Sequence, residues 1–108
     1  MNDEGVQVID TAQLLTALTR WYGLPVYIHL EVNPGAYWRN GKAVLHTAFV
    51  RGAGPYRVFL AIDAEQGLIQ MDQLTHMQLT DHQVICSAYD RQQRLSRTLE
   101  VSIKPFAL

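Results

Sequence analysis

The chain holds one cysteine, Cys86, in 108 residues. That excludes an internal disulfide, a CxxC zinc knuckle and a dithiol redox pair. A dominant sign of charge is also missing: nine Lys and Arg stand against ten Asp and Glu, for a formal net charge of -1. No general basic field therefore draws in nucleic acid or an anionic membrane. No apolar run approaches the roughly 18 residues of a spanning helix, and the opening MNDEGVQVID is acidic, without the basic-then-apolar order of a secretory signal. The expectation is a cytoplasmic protein with neither a membrane nor a nucleic-acid partner. Serine occurs only at positions 87, 96 and 102, none of them in the strand-turn-helix setting of a nucleophile elbow. Internal repeats, low-complexity tracts and linkers are absent from the sequence as well.

What is present suffices for one core. An apolar content of 48% over 108 residues suits a single domain over 1–108, with residues 1–10 expected as a loosely ordered N-terminal segment. The stretch DTAQLLTALTRWYG offers Asp10 or Thr11 as an N-cap and stops at Gly23, with Pro25 just beyond; these are helix start and stop signals. Leu14, Leu15, Leu18, Trp21 and Tyr22 recur at three- and four-residue steps, which makes one apolar stripe that must lie on another layer.

Beyond Pro25 the apolar period falls to two. In PVYIHLEV, residues Val26, Ile28 and Leu30 share one face, and Tyr27, His29 and Glu31 share the other. NPGAYWRNG reads as a turn region, because Asn33-Pro34-Gly35 and Asn40-Gly41 are both strong punctuators. Strands follow at KAVLHTAFV, YRVFLAI, LIQMDQL, HQVICSAYD and RLSRTLEVSI, the last two as a hairpin about Asp90 to Gln93. In the final strand Leu95, Leu99, Val101 and Ile103 should lie apart from Ser96, Thr98, Glu100, Ser102 and Lys104. LTHMQLTD fits either one helical turn or a strand, and extended structure is favoured. The fold class is α+β or mainly β: one N-terminal helix on an antiparallel, twisted or partly barrel-like sheet of five to seven strands.

The chemistry-bearing candidates are few. In RGAGPYR, residues 51 to 57, a phosphate-cradling glycine loop would have to open a helix. Here a strand follows, so Gly52 and Gly54 serve a hairpin corner that needs positive φ or close backbone approach. Arg51 and Arg57 at the two ends of such a corner can nevertheless face one carboxylate or phosphate, helped by the Gly52–Gly54 backbone, Tyr56 and His29. His29 and Glu31 fall two apart on one strand face, but a metal would need a further ligand, such as His46, that nothing fixes nearby. Hydrogen-bonding, partly exposed histidines are the ordinary reading, and no metal or cofactor is assigned. Arg91, Arg94 and Arg97 lack the interleaved aromatics of a single-strand platform. The acid pairs Asp3-Glu4 and Asp63, Glu65 sit in terminal or turn contexts as solvated charge. In VICSAY, Val84, Cys86 and Ala88 share a side, so Cys86 is read as a buried inert thiol. Tyr37 and Trp38, in AYWRNG, carry a large apolar load for a turn and are candidate interface residues. An open edge strand would further allow a homodimer.

At LPVYIHLEVNPGAYW, RGAGPYRVFL, LTHMQL and the terminal SIKPF, the sequence resembles the YojF-like family of small bacterial proteins of unknown function, found in Firmicutes. The likeness runs in order from about residue 12 to the end. It implies a β-rich single domain and a link to bacillithiol, that is low-molecular-weight thiol, metabolism, since members are commonly encoded beside a LmbE-like sugar deacetylase. On that resemblance the chain is expected to be a non-catalytic accessory or interaction protein, a homodimer and a partner of such a deacetylase. The residues alone keep two other readings open: a small anionic metabolite-binding domain built on the Arg51–Arg57 hairpin, and a metal-assisted enzyme using His29, Glu31 and His46. The resemblance carries no catalytic residues onto this chain.

Overall fold

A computed structural model describes residues 5–108. The helix α1 spans Thr11–Thr19, and the strands are β1 (Gln7–Val8), β2 (Pro25–Val32), β3 (Ala36–Gly52), β4 (Tyr56–Ile62), β5 (Gly67–Leu74), β6 (His76–Leu79), β7 (Gln83–Tyr89) and β8 (Leu95–Ser102). Asp10 is the N-cap: its Oδ1 accepts from Gln13 N at 3.0 Å, satisfying a helix-terminal donor that has no intrahelical partner. Leu14, Ala17 and Leu18 are buried on one side, and Trp21 is buried in the turns that follow Thr19. The apolar stripe thus continues past the last helical turn to Gly23, which takes φ 83. The segment expected to be loose falls partly on residues 1–4, outside the described residues. Beyond them Gln7–Val8 pairs antiparallel with β6, and Ile9 is buried.

All eight strands join one sheet in the order β1-β6-β7-β8-β2-β3-β4-β5. Every pairing is antiparallel. The sheet is open, with β1 and β5 at its edges. LTHMQLTD resolves as the strand β6, and with β1 the count reaches eight. β3 is the piece that shapes the sheet. Its first half pairs with β2 and its second half with β4. Two irregularities allow the bend. Between Ile28↔Gly41 and Leu30↔Trp38, two residues of β3 face the single His29 of β2. Between Leu45↔Ile62 and Thr47↔Ala61, His46 is extra. Each added residue bends and twists its strand, so β4 and β5 fold over, and β5 packs against β7 and β8. The core fills the space between, with Ile28, Leu45, Leu60, Leu74, Met77 and Leu99 among its fully buried side chains.

Two expectations are corrected. The turn region at 33–41 is only a turn over Asn33-Pro34-Gly35, and residues 36 to 41 belong to β3. Asn40 lies with Arg39 in the bulge opposite His29 and takes φ 59, while Gly41, paired with Ile28, lies under the Trp38 indole, where any Cβ would overlap the ring. The same tolerance of positive φ serves a turn or a bulge. The face assignment in β8 also fails in part. Thr98 and Ser102 are buried while Leu95 and Ile103 are exposed, because Leu95 is the first residue of β8 and Ile103 lies just past its end, where the alternation no longer decides burial.

Candidate functional site

The glycine-rich corner is a hairpin end, not a helix start. β3 stops at Gly52 and β4 begins at Tyr56, and the two glycines adopt φ 101 and φ 111. At Gly52 a Cβ would also meet Pro55 O at 2.7 Å, so both backbone conformation and space require glycine there. The register makes Arg51 and Arg57 direct cross-strand partners, with Gly52 opposite Tyr56. Their side chains therefore leave the same face of the hairpin.

Opposite Arg57, β5 carries a third bulge. Between Tyr56↔Leu74 and Val58↔Met71, Asp72 and Gln73 oppose one residue, with Gln73 at φ 64. The bulge turns these two side chains toward the corner and closes a recess of about 250 Å³ lined by Arg51, Gly52, Pro55 and Tyr56 together with Arg57, Asp72 and Gln73. Asp72 Oδ1 stands 3.8 Å from Arg57 Nε, a loose and solvent-exposed pair of small energetic value. The Arg51 guanidinium lies 5.5 Å from the Phe49 ring centroid, and its Nη1 donates to Val50 O at 3.3 Å. The sequence brought out Arg51, Gly52, Gly54, Tyr56 and Arg57; of these Gly54 does not line the recess, and Asp72 and Gln73 were missed. A signal existed in LIQMDQL, where the buried residues run Ile69, Met71, Leu74 and the step of three breaks the period of two.

His29 does not reach this corner. It lies on β2, on the sheet face turned away from the core, and it is 3% exposed, which corrects the expectation of a partly exposed side chain. Tyr37 stacks edge-on against it at 5.0 Å between centroids, and Phe106 of the C-terminal segment lies at 6.0 Å. That segment is strapped down by Asn40, whose side chain donates to Phe106 O at 2.9 Å and accepts from Phe106 N at 2.7 Å, and by Arg39 Nε donating to Ala107 O at 2.7 Å. The imidazole meets Glu31 Oε1 at 3.1 Å through Nε2 and Arg39 Nη1 at 3.2 Å through Nδ1. Hydrogen bonds from Asn33 and then His29 hold the Glu31 carboxyl below its ordinary range. Across the strand pair His29 faces Glu100, whose carboxyl is pushed up by burial. The fold thus assembles a histidine, two carboxylates and an arginine under a strap. Arg39 and Glu100 carry no periodic signal that would single them out.

The other candidates are placed apart. His46 Nε2 pairs with Glu65 at 3.3 Å, and among the described residues no group of three or more His, Cys, Asp or Glu is arranged to hold a metal ion. Arg94 is tied into its own hairpin: its Nε donates to Asp90 Oδ2 at 2.9 Å, while Asp90 Oδ1 accepts from Arg94 N and Gln92 N. Cys86 is buried, and burial pushes its thiol up to about 12. Tyr37 and Trp38 are 65% and 44% exposed. No helix among the described residues is long and apolar enough to cross a membrane.

Comparison with known proteins agrees with the likeness read from the sequence. A family profile described as "Protein of unknown function (DUF1806)" matches residues 8–106. The uncharacterized protein YojF of Bacillus subtilis (strain 168) is 32% identical over 118 residues, covering 95% of this chain and all of that protein. The crystal structure of Bacillus subtilis YojF superposes with a TM-score of 0.84 at 32% identity, over 97% of this chain and 100% of that one. With this profile match and this relative, the chain belongs to the DUF1806 family of YojF-like proteins, whose function is not established.

Proposed function

We propose that the protein is a binding module for a small anion, a carboxylate or phosphate held between Arg51 and Arg57. One observation carries the reading: the two arginines are direct cross-strand partners at a recess of about 250 Å³. Like charges placed opposite one another destabilise a strand pair, and the single carboxylate beside them, Asp72, stands 3.8 Å from one guanidinium only. An anion bridging both guanidiniums removes the repulsion and gains charge-assisted, bidentate hydrogen bonds. The role is non-catalytic. In the thiol metabolism that the family resemblance implies, the anion is a malyl or phosphorylated sugar and the module an accessory of a sugar deacetylase.

Thermal unfolding tests this with malate, sugar phosphates and inorganic phosphate. A ligand at ten times its Kd adds about 1.4 kcal/mol, several degrees in the melting temperature of a domain of this size. Arg57→Ala combined with Arg51→Ala should abolish that shift. A shift that persists in the double variant defeats the reading.

A homodimer or deacetylase contact is supported by a separate observation, the exposure of Tyr37 and Trp38, 65% and 44%, since such aromatics anchor interfaces. Tyr37→Ala with Trp38→Ala should lower self-association or deacetylase capture, measured by sedimentation and pull-down, and unchanged binding would remove the proposal.

A further inference from the structure

Arg51 lines two recesses. Besides the polar corner, it borders an apolar groove of about 270 Å³ formed with Phe49, Phe59 and Leu68. The register explains the adjacency. Phe49 and Phe59 are cross-strand partners one step inward from Arg51 and Arg57 on the same face, and Leu68 stands opposite Ala61 on the edge strand β5. Phe49 is 43% exposed and Leu68 63%, and Phe59 is half-buried, so an apolar strip on one face remains open to water beside a guanidinium. We infer that the ligand of the Arg51–Arg57 corner is an amphipathic small molecule: an anionic head between the arginines and a short alkyl or aryl tail lying along Phe49, Phe59 and Leu68. This rests on the anion-binding reading above and adds the class of ligand.

Charge and shape argue for that occupant. Arg51 lies against Phe49, so one cation marks where head meets tail, and a purely polar anion leaves the groove wet. A tail covers apolar surface that gains nothing from solvent, while a few placed polar groups fix its orientation.

The test is a homologous series on the intact protein: acetate, butyrate, hexanoate, octanoate and 3-phenylpropionate, with inorganic phosphate as a head without a tail, each titrated by NMR. Affinity should rise about two- to fourfold per added methylene, the upper figure being full burial of a CH2. Leu68→Thr, at an exposed position of the edge strand, should flatten that series while leaving phosphate affinity unchanged, which also reports that the variant is folded. Anion binding that needs Arg51 and Arg57 but shows no chain-length dependence overturns this inference and leaves the anion reading standing. Binding by no member of the series overturns both. Chain-length dependence that survives Arg51→Ala and Arg57→Ala overturns the shared-site inference. So does sedimentation in which Leu68→Thr dissociates a dimer while ligand affinity is unaltered, because the groove is then covered by a second copy.

Discussion

Arg39 Nη1 donates to His29 Nδ1 at 3.2 Å, and this contact fixes where the imidazole proton lies. A guanidinium only donates, so Nδ1 carries the lone pair, and Nε2 carries the hydrogen given to Glu31 Oε1 at 3.1 Å. The ring is a bridge between a cation and an anion, buried under Tyr37 and Phe106. Replacing it by leucine leaves both charged partners short of a hydrogen bond, a loss of about 1–3 kcal/mol. Urea unfolding of His29→Leu should show that loss; stability within about 0.3 kcal/mol of the parent would contradict the bridge.

The two carboxylates beside His29 should respond to acid in opposite senses. Burial raises the Glu100 carboxyl above its ordinary range, so the folded state favours its protonated form. Its ionisation is a cost that appears as pH rises through the folded value. Glu100→Gln should therefore be more stable than the parent near neutral pH, with the gain shrinking as pH falls. Glu31 is lowered, chiefly by the Asn33 hydrogen bond. Its support is present above the unfolded value and lost as pH falls through the folded one, so Glu31→Gln should destabilise near neutral pH and lose its effect in strong acid. Melting temperatures across pH for the two variants check both signs.

Thr98 is 3% exposed, and its hydroxyl has no hydrogen-bond partner. Burying such a group without compensation is unfavourable. Thr98→Val keeps the shape and removes the orphan, so denaturation should show a gain of about 1 kcal/mol. A loss would mean that the hydroxyl is satisfied in solution.

Cys86 should resist thiol reagents in the folded protein. It is fully enclosed, with its thiol pushed up to about 12, and the thiolate is the reactive form. Labelling by a thiol-specific reagent near neutral pH should be negligible until denaturant is added. Prompt labelling without denaturant would contradict the burial.

The sequence revealed most where one rule acted alone. The Asp10 cap, the Leu14–Leu18 stripe and the alternation of β4 were readable because local pattern and tertiary burial agree there. Asn40-Gly41 was not, because positive φ suits a hairpin and a bulge equally, and only the partner strand decides between them. The same holds at the functional corner. The Arg51–Arg57 juxtaposition followed from a hairpin of known ends, whereas Asp72 and Gln73 reach it through a bulge on another strand. His29 stands apart from that corner, and its covering depends on residues 106 and 107 returning to Arg39 and Asn40, a long-range contact with no local signature.

Anion capture by the paired arginines is most directly observed at their own side chains. In an NMR titration of the whole protein with inorganic phosphate, the Nε–Hε resonances of Arg51 and Arg57 should move together along one saturable curve, ahead of those of Arg91 and Arg97. Resonances of Arg51 and Arg57 that stay fixed, or that drift linearly with every other arginine, would show that the hairpin corner is a turn and no more.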